Sequence, residues 1–73
     1  MKKDTFKLRP TDEFIELIKL LKLKQIAQSG GHAKIMIEEG SVKVNGEKEF
    51  RKRNKLRPGD IIELKEITIT IAE

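Results

Sequence analysis

The spacing of the apolar residues changes at Gly40, and this change constrains the fold more than any other feature of the chain. Before Gly40, apolar side chains recur three and four positions apart, which is the period of an amphipathic helix. After Gly40 they alternate with polar side chains, which is the period of a strand with one buried face. A chain of 73 residues has room for one domain. We therefore predict a single α+β domain over residues 1–73, in which a helix hairpin packs on a small, mostly antiparallel sheet.

The first helix is expected over residues 12–23. Thr11 is suited to cap its N-terminus, and acidic side chains follow in the first turn, where the helix dipole favours them. Apolar side chains recur at helical spacing at Phe14, Leu17, Ile18 and Leu21. We expect this apolar face to pack into the core.

A second helix is expected between Ser29 and Gly40. The serine hydroxyl can accept a hydrogen bond from a free amide of the first turn, and glycine suits the left-handed backbone that often ends a helix. The apolar face of this helix is formed by Ala33, Met36 and Ile37. With a connector over residues 23–28, the two helices should form a short hairpin.

The dipeptide Asn45-Gly46 is the strongest short hairpin signal in the chain, because both residues tolerate the positive φ angles of a tight turn. We expect it to join strands over residues 41–44 and 47–50. An RPGD turn then precedes a third strand over residues 61–64. The pattern predicts that these strands belong to one sheet.

Two further strands are expected to flank this region, at residues 5–8 and 67–72. The first is short and ends before a proline, as edge strands often do. Apolar residues carry even numbers in the 61–64 strand and odd numbers in the last strand, so one continuous strand would expose half of them. We therefore predict a break or bulge at Lys65-Glu66.

Residues 47–57 hold the whole charge surplus of the chain. They carry six bases and two acids, a surplus of four that equals the net charge of +4 for the full sequence. Five of these bases fall within seven residues and have no acid among them: Arg51, Lys52, Arg53, Lys55 and Arg57. A localised surplus of this kind indicates a polyanionic partner.

The composition argues against an enzyme and against a metal site. The chain has no cysteine and one histidine, so neither a disulfide framework nor a zinc cluster can form. No nucleophile and base stand in a recognisable pattern. We expect a non-catalytic protein without a cofactor.

The chain shows no sign of export or of a membrane span. No apolar run follows the lysines near the N-terminus, so a signal peptide is not expected. The most apolar segment, Phe14–Leu23, is interrupted by three charged side chains and cannot cross a bilayer. The lack of cysteine suits a reducing compartment. We expect a cytoplasmic monomer with no membrane partner.

Two stretches, SGGHAKIMIEEGSVKVNGE (residues 29–47) and RKRNKLRPGDIIEL (residues 51–64), carry a recognisable order of features. Over residues 12–64 the chain resembles the small RNA-binding domain first recognised in ribosomal protein S-four of the small subunit, and most closely its short stand-alone bacterial members. The matching positions are Ala33, Lys34, Ile37, Gly40, Val42, Val44, Asn45, Gly46, Leu56, Gly59, Asp60 and Ile62.

The resemblance implies the fold and the function of an αL RNA-binding motif. In such a domain a helix pair and a hairpin grip structured RNA, and the domain itself has no catalytic activity. The expected partner is therefore ribosomal RNA or tRNA, on the ribosome or on an assembly intermediate. The resemblance thus predicts a role in ribosome assembly or translation.

The predicted RNA contacts fall into three groups. The main phosphate contacts are the five bases of the 51–57 run, and Lys34, Lys43 and Lys48 are supporting contacts. Gly30-Gly31 is the predicted point of close approach, because free amides and the dipole at a helix N-terminus favour an anion. We expect the 51–57 run and the second helix to form the two sides of a groove.

The chain departs from the broader family pattern at two points. Gly30-Gly31 stands where many relatives have a basic or hydroxyl-rich segment, and Glu39 stands where a histidine is frequent. Gly30-Gly31 is either a point of close approach or a flexible turn, and His32 is either a solvent-exposed residue or an RNA contact. With three phenylalanines and neither tyrosine nor tryptophan, the sequence favours phosphate contact over base stacking.

Two other functions compete with RNA binding. The segments VKVNGE and LRPGDIIEL are similar to strand and turn segments of ubiquitin-like β-grasp proteins. Carriers of that fold need a C-terminal Gly-Gly, however, and this sequence ends Ile71-Ala72-Glu73. A protein-interaction adaptor could instead add a partner strand to an exposed edge of the ITITIA segment. Salt-insensitive binding to a protein, without RNA, would favour the adaptor.

Overall fold

The computed structural model describes residues 2–73, and seven strands and two helices follow one another within them. In chain order these are β1 (Lys2–Lys7), β2 (Ile15–Glu16), α1 (Leu17–Leu23), α2 (Gly30–Glu38), β3 (Val42–Val44), β4 (Glu47–Lys48), β5 (Lys55–Leu56), β6 (Ile61–Leu64) and β7 (Ile67–Ala72). The predicted α+β class is confirmed, with a helix pair on a mostly antiparallel sheet.

Five strands form the main sheet in the order β1-β7-β6-β3-β4. Neighbouring strands are antiparallel except β1 and β7, which run parallel. One row of paired residues crosses the sheet, with Val44 opposite Ile62 and Ile62 opposite Ile69. Because successive side chains point to opposite faces, this register gives the sheet one apolar face. Strands β2 and β5 form a separate two-stranded ladder.

The core lies between the helix pair and the apolar face of the sheet. The helices bury Leu17, Leu20, Leu21, Ala33, Met36 and Ile37. The sheet buries Val42, Ile62, Leu64, Ile69 and Ile71. Within residues 2–73 no polar or charged side chain is buried, so every ionisable group is left at or near the surface.

Local signals in the sequence determine the second helix and the hairpin. The Ser29 hydroxyl accepts a hydrogen bond from the His32 amide at 3.2 Å, as predicted for an N-cap. Gly40 has a φ of +77°, the left-handed conformation predicted for the end of this helix. Asn45 and Gly46 have φ angles of +53° and +87°, so both adopt the tight-turn geometry that the hairpin requires.

The first helix begins at Leu17 rather than at residue 12, so the predicted start was wrong. Thr11 does not cap it, and the preceding residues Ile15–Glu16 pair with β5 as a strand. Phe14 was also assigned wrongly to the core, because it lies before this strand and remains partly exposed. Pairing with a segment forty residues away along the chain therefore overrides the local helical spacing.

The flanking strands differ from the predicted ones in extent and position. The first covers Lys2–Lys7 instead of residues 5–8, since its whole length pairs with β7. The predicted break at Lys65-Glu66 is the turn between β6 and β7, in which Lys65 has a φ of +50°. The second hairpin strand ends at Lys48, two residues earlier than predicted.

Strand β7, which contains the ITITIA segment, is an interior strand. It pairs with β1 on one side and with β6 on the other. Its main-chain groups are therefore engaged in two ladders and cannot accept a partner strand. The adaptor hypothesis, in the form that used an exposed edge of this segment, was wrong.

Candidate nucleic-acid interface

The basic run lies in a segment that leaves the hairpin, crosses the start of α1 and contains the short strand β5. We call residues 49–57 the basic loop. Two main-chain hydrogen bonds attach it to the helix, from the Leu17 amide to the Asn54 carbonyl at 3.0 Å and from the Ile18 amide to the Lys52 carbonyl at 2.9 Å. Loop carbonyls thereby satisfy two amides at the helix start, where no side chain caps the helix. The loop and the helix therefore share a fixed geometry.

Glu49 organises the first turn of the basic loop. Its carboxylate accepts hydrogen bonds from the amides of Phe50 and Arg51, at 3.1 and 3.3 Å. The Arg51 side chain donates to the same carboxylate through Nε at 3.2 Å and through Nη2 at 3.0 Å, and Asn54 Nδ2 donates as well. The side chain of Glu49 is only 13% exposed. This acid therefore acts as a brace for the first turn of the loop.

The electrostatics of this pair follow from the same contacts. The Arg51 guanidinium, which donates to Glu49, holds the pKa of that carboxyl below its ordinary value of 4.5. In turn, the hydrogen bond to Glu49 raises the pKa of Arg51. The carboxylate thus neutralises part of the Arg51 charge, although 79% of the Arg51 side chain remains exposed.

The other bases of the run differ in how they are engaged. Lys52 and Arg53 are exposed and form no ion pair with another part of residues 2–73. The Lys55 ammonium lies over the Phe14 ring, 5.0 Å from its centroid, in a cation–π contact. Arg57 belongs to a tight turn in which its amide donates to Asp60 at 2.9 Å. The charges most available to a ligand are therefore those of Lys52, Arg53 and Arg57, whose side chains form no ion pair within residues 2–73.

Hydrogen bonds from Asn45 connect the hairpin turn to the segment that follows the basic loop. Asn45 Nδ2 donates to Asp60 Oδ1 at 3.1 Å, and Asn45 Oδ1 accepts from the Ile61 amide at 2.9 Å. The Asn45 amide also donates to the Ile61 carbonyl at 2.7 Å. The asparagine that turns the hairpin therefore also holds the segment that follows the basic run.

The N-terminus of α2 is an open surface. A side-chain carbon built on Gly30 would meet no atom within 4 Å, and one built on Gly31 would meet only the Ser29 hydroxyl at 3.9 Å. His32 Nδ1 accepts a hydrogen bond from the Gln28 amide at 3.2 Å, so in the neutral ring Nε2 carries the proton. Lys34 is exposed on the same helix. These groups are accessible, as the predicted contacts require.

The basic loop contacts the end of α2 rather than its start. The Phe50 ring lies against Gly40. Its Cε1 atom is 3.2 Å from the position that a Cβ atom would occupy on residue 40. Gly30 and the end of the helix are separated by roughly 12 Å along the helix axis, at 1.5 Å per residue. The basic loop therefore lies near one end of α2 and Gly30-Gly31 near the other.

The lysines of the hairpin lie opposite each other. Lys43 pairs with Lys48 across β3 and β4, and with Glu63 across β3 and β6. Like charges in directly opposite positions destabilise a hairpin, and Glu63 compensates part of this repulsion. Lys43 and Lys48 therefore add positive charge to the hairpin beside the basic loop.

Glu49 and Phe50 belong to the site but were not predicted from the sequence. Both stand immediately before the basic run, and an acid beside a cluster of bases was the available signal for the first of them. No short-range signal marks Phe50, because its contact with Gly40 depends on the fold.

Within residues 2–73 no group of three or more His, Cys, Asp or Glu side chains is arranged to bind a metal ion. Nor is any helix in this part of the chain long and apolar enough to span a bilayer.

Comparison with known proteins connects this geometry to a family. Residues 6–72 match the S4 domain. The chain is 50% identical over 48 residues to YbcJ of Escherichia coli K12, named as a candidate RNA-binding protein, over 66% of this chain and 69% of YbcJ. It is 44% identical over 52 residues to RlbA of Bacillus subtilis 168, named as a candidate ribosome maturation protein, over 71% of this chain and 73% of RlbA.

A solved structure has the same fold. The solution structure of YbcJ from Escherichia coli, described as containing an αL motif involved in RNA binding, matches with a TM-score of 0.69 and 39% identity. The match covers 94% of this chain and 86% of that one. The predicted resemblance is thus confirmed both by sequence and by fold. The chain belongs to the S4 domain family.

Proposed function

We propose that this protein is a non-catalytic RNA-binding domain that acts as a monomer in the cytoplasm and recognises folded RNA. The observation that carries the proposal is the basic loop, in which Lys52 and Arg53 are exposed and have no ion-pair partner elsewhere in residues 2–73. Lysine and arginine side chains that have no ion-pair partner and are clustered on one loop favour a polyanionic ligand, because phosphate oxygens can then form ion pairs with them.

The rigidity of the loop supports recognition of shape. Phosphate contacts fix the position of a protein on a nucleic acid but carry no sequence information. Hydrogen bonds with Glu49 and with the α1 amides define the backbone path from which the loop presents its cations. A cationic surface built on a defined backbone favours RNA whose phosphates are held in a matching arrangement, which is a property of folded rather than single-stranded RNA.

Relatives favour ribosomal RNA as the ligand. YbcJ is described with an αL motif involved in RNA binding, and RlbA is named as a candidate ribosome maturation protein. Both proteins share at least 44% identity with this chain in the aligned regions. We therefore propose that the RNA is ribosomal RNA during subunit assembly, with tRNA as the second candidate.

Crosslinking in cells tests this proposal. A tagged wild-type protein is crosslinked to RNA, purified under denaturing conditions and its bound RNA sequenced. We expect reads that cluster in structured segments of ribosomal RNA. The matched variants are Lys52→Gln/Arg53→Gln and, as a control, Lys3→Gln/Lys7→Gln, which removes the same charge from β1, the edge strand opposite to β4 in the sheet.

The outcomes separate the alternatives. Loss of crosslinked RNA in the basic-loop variant, with retention in the β1 control, supports the proposed interface. Equal loss in both variants would mean that only net charge matters. Enrichment of tRNA would assign the protein to translation rather than assembly, and no enrichment of any RNA in the wild-type protein would refute RNA binding.

A further inference from the structure

Phe50 is an exposed residue of the basic loop that phosphate contact does not explain. It is a large apolar side chain with 56% of its surface exposed. Single exposed apolar residues are common on protein surfaces, so exposure alone would carry no inference. What distinguishes Phe50 is that its ring packs on Gly40 and that basic residues lie on both sides of it in the sequence, Lys48 before it and Arg51 after it.

The ring rests on Gly40 at the end of α2. Its Cε1 and Cζ atoms lie 3.2 and 3.5 Å from the position that a side-chain carbon at residue 40 would occupy. The Phe50 amide, and that of the next residue, donate to the Glu49 carboxylate, so the backbone on both sides of the ring is fixed. The backbone that carries the ring is therefore held in place, which lowers the conformational entropy lost when a ligand packs on the ring.

Cations flank the ring on both sides in the sequence. Lys48 extends its aliphatic chain to Gly40, with Cδ 3.5 Å from the same side-chain position, and Arg51 and Lys52 follow the ring directly. An aromatic ring among cations is the combination with which proteins hold unpaired nucleotides, because the base stacks on the ring while the phosphates meet the cations.

We propose that Phe50 stacks on an unpaired nucleobase of the RNA while the basic loop holds the adjacent phosphates. This inference rests on the proposed RNA-binding function and makes it more specific. The ligand is then a folded RNA with a bulged or loop nucleotide beside a helix, rather than a continuous duplex. Every base presents a π-face, so the stacking selects an unpaired position more than a particular base.

Two RNA hairpins test the inference. They have the same length and stem sequence, and one carries a single bulged adenosine where the other is fully paired. Phe50→Leu keeps an apolar side chain over Gly40 but has no aromatic face. We expect it to bind the bulged hairpin roughly 5- to 150-fold more weakly than wild type, the range reported for loss of one stacked base. Its affinity for the paired hairpin should stay unchanged.

A second variant reports stacking directly. The chain contains neither tryptophan nor tyrosine, so Phe50→Trp introduces its only indole fluorophore. We expect the bulged hairpin to quench this emission on binding, with affinity equal to or above that of wild type, and the paired hairpin to quench it much less. Melting temperatures of both variants near that of wild type would show that the fold is kept.

The results distinguish the inference from the function on which it rests. If Phe50→Leu binds both hairpins like wild type, or both hairpins quench the indole equally, base stacking is overturned. RNA binding itself would still stand in that case, provided that Lys52→Gln/Arg53→Gln lowers the affinity of the protein for both hairpins. If the wild-type protein binds neither hairpin nor any RNA recovered from cells, the proposed function fails and the inference fails with it.

Discussion

Replacing Glu49 with glutamine removes the negative charge that braces the basic loop while almost preserving the size of the side chain. The wild-type carboxylate accepts hydrogen bonds from the Phe50 and Arg51 amides, at 3.1 and 3.3 Å. Glutamine keeps one acceptor oxygen but turns an NH₂ group toward the donors of Arg51 and Asn54. The substitution therefore replaces acceptor–donor contacts with donor–donor contacts.

The magnitude follows from the number of bonds lost. An intramolecular hydrogen bond contributes roughly 0.5–1.5 kcal/mol net, and the ion pair adds little because Arg51 is largely exposed. With the bonds from Arg51 Nη2 and Asn54 Nδ2 replaced by donor–donor contacts, Glu49→Gln should lower the free energy of unfolding by about 1–2 kcal/mol. In a domain of this size that change lowers the melting temperature by roughly 5–15 °C.

The pH dependence provides an independent signature of the same contact. Contact with Arg51 lowers the pKa of Glu49 in the folded protein below its ordinary value of 4.5, so in acid the unfolded chain binds more protons than the folded one. The stabilisation is complete above that ordinary value and is lost as the pH falls through the folded-state pKa. Asp4, whose pKa Lys24 also lowers, titrates in wild type and variant alike and cancels in the difference.

Thermal unfolding followed by circular dichroism measures both effects. The difference in melting temperature between wild type and Glu49→Gln should be largest near neutral pH and should shrink toward pH 3. Glu47→Gln is the matched control, because Glu47 is an exposed acid two residues earlier and forms no ion pair within residues 2–73. Equal melting temperatures for the two variants, or a difference that does not change with pH, would refute the role of Glu49 as a brace.

Three further predictions concern the turns that frame the site. Gly46→Val should melt at a lower temperature than Gly46→Asn, because the φ of +87° at this position is tolerated by asparagine and not by valine; equal melting temperatures would contradict the hairpin geometry. Gly40→Ala should destabilise the protein by about 1–2 kcal/mol, measured by urea unfolding, since it adds a side chain at positive φ and displaces the Phe50 ring. Asn45→Asp, which keeps the turn but repels Asp60, should lower stability at neutral pH and recover part of it in acid, while Asn45→Gly should lack this recovery.

The parts of the fold that the sequence predicted correctly depend on short-range signals. Ser29 caps α2 through a residue three positions away, and Gly40 and Gly46 adopt positive φ because of their own covalent structure. Alternating apolar residues likewise predicted β6 and β7. Such signals act within a few residues, so a single sequence contains enough information to recognise them.

The start of α1 was not predictable in the same way. Phe14 continues the helical spacing of Leu17 and Leu21, and Thr11 has the chemistry of a cap. The chain instead pairs Ile15–Glu16 with β5, and a carbonyl of the basic loop replaces the expected side-chain cap. These partners are distant in the sequence, and their competition with the helix becomes visible only in the fold.

In the candidate site, too, local features were predictable from the sequence and long-range contacts were not. The position of the basic run and its surplus of charge could be read from the sequence, since charge is a property of the residues themselves. The sequence could not show which cations are available to a ligand, because their availability depends on the side chains that they contact in the fold. Arg51 is held by Glu49 and Lys55 lies over Phe14, whereas Arg53 has no such contact within residues 2–73.

The salt dependence of RNA affinity tests the central claim most directly. A structured RNA recovered by crosslinking is titrated with wild type, Lys52→Gln/Arg53→Gln and the Lys3→Gln/Lys7→Gln control over a range of salt concentrations. Each phosphate contact contributes roughly 0.7–0.9 to the slope of log affinity against log salt, because each releases condensed counterions. If Lys52 and Arg53 each bind a phosphate, the slope becomes shallower by roughly 1.4–1.8 in the first variant and stays near that of wild type in the control. An equal change of slope in both variants, or no change in either, would contradict phosphate recognition by the basic loop.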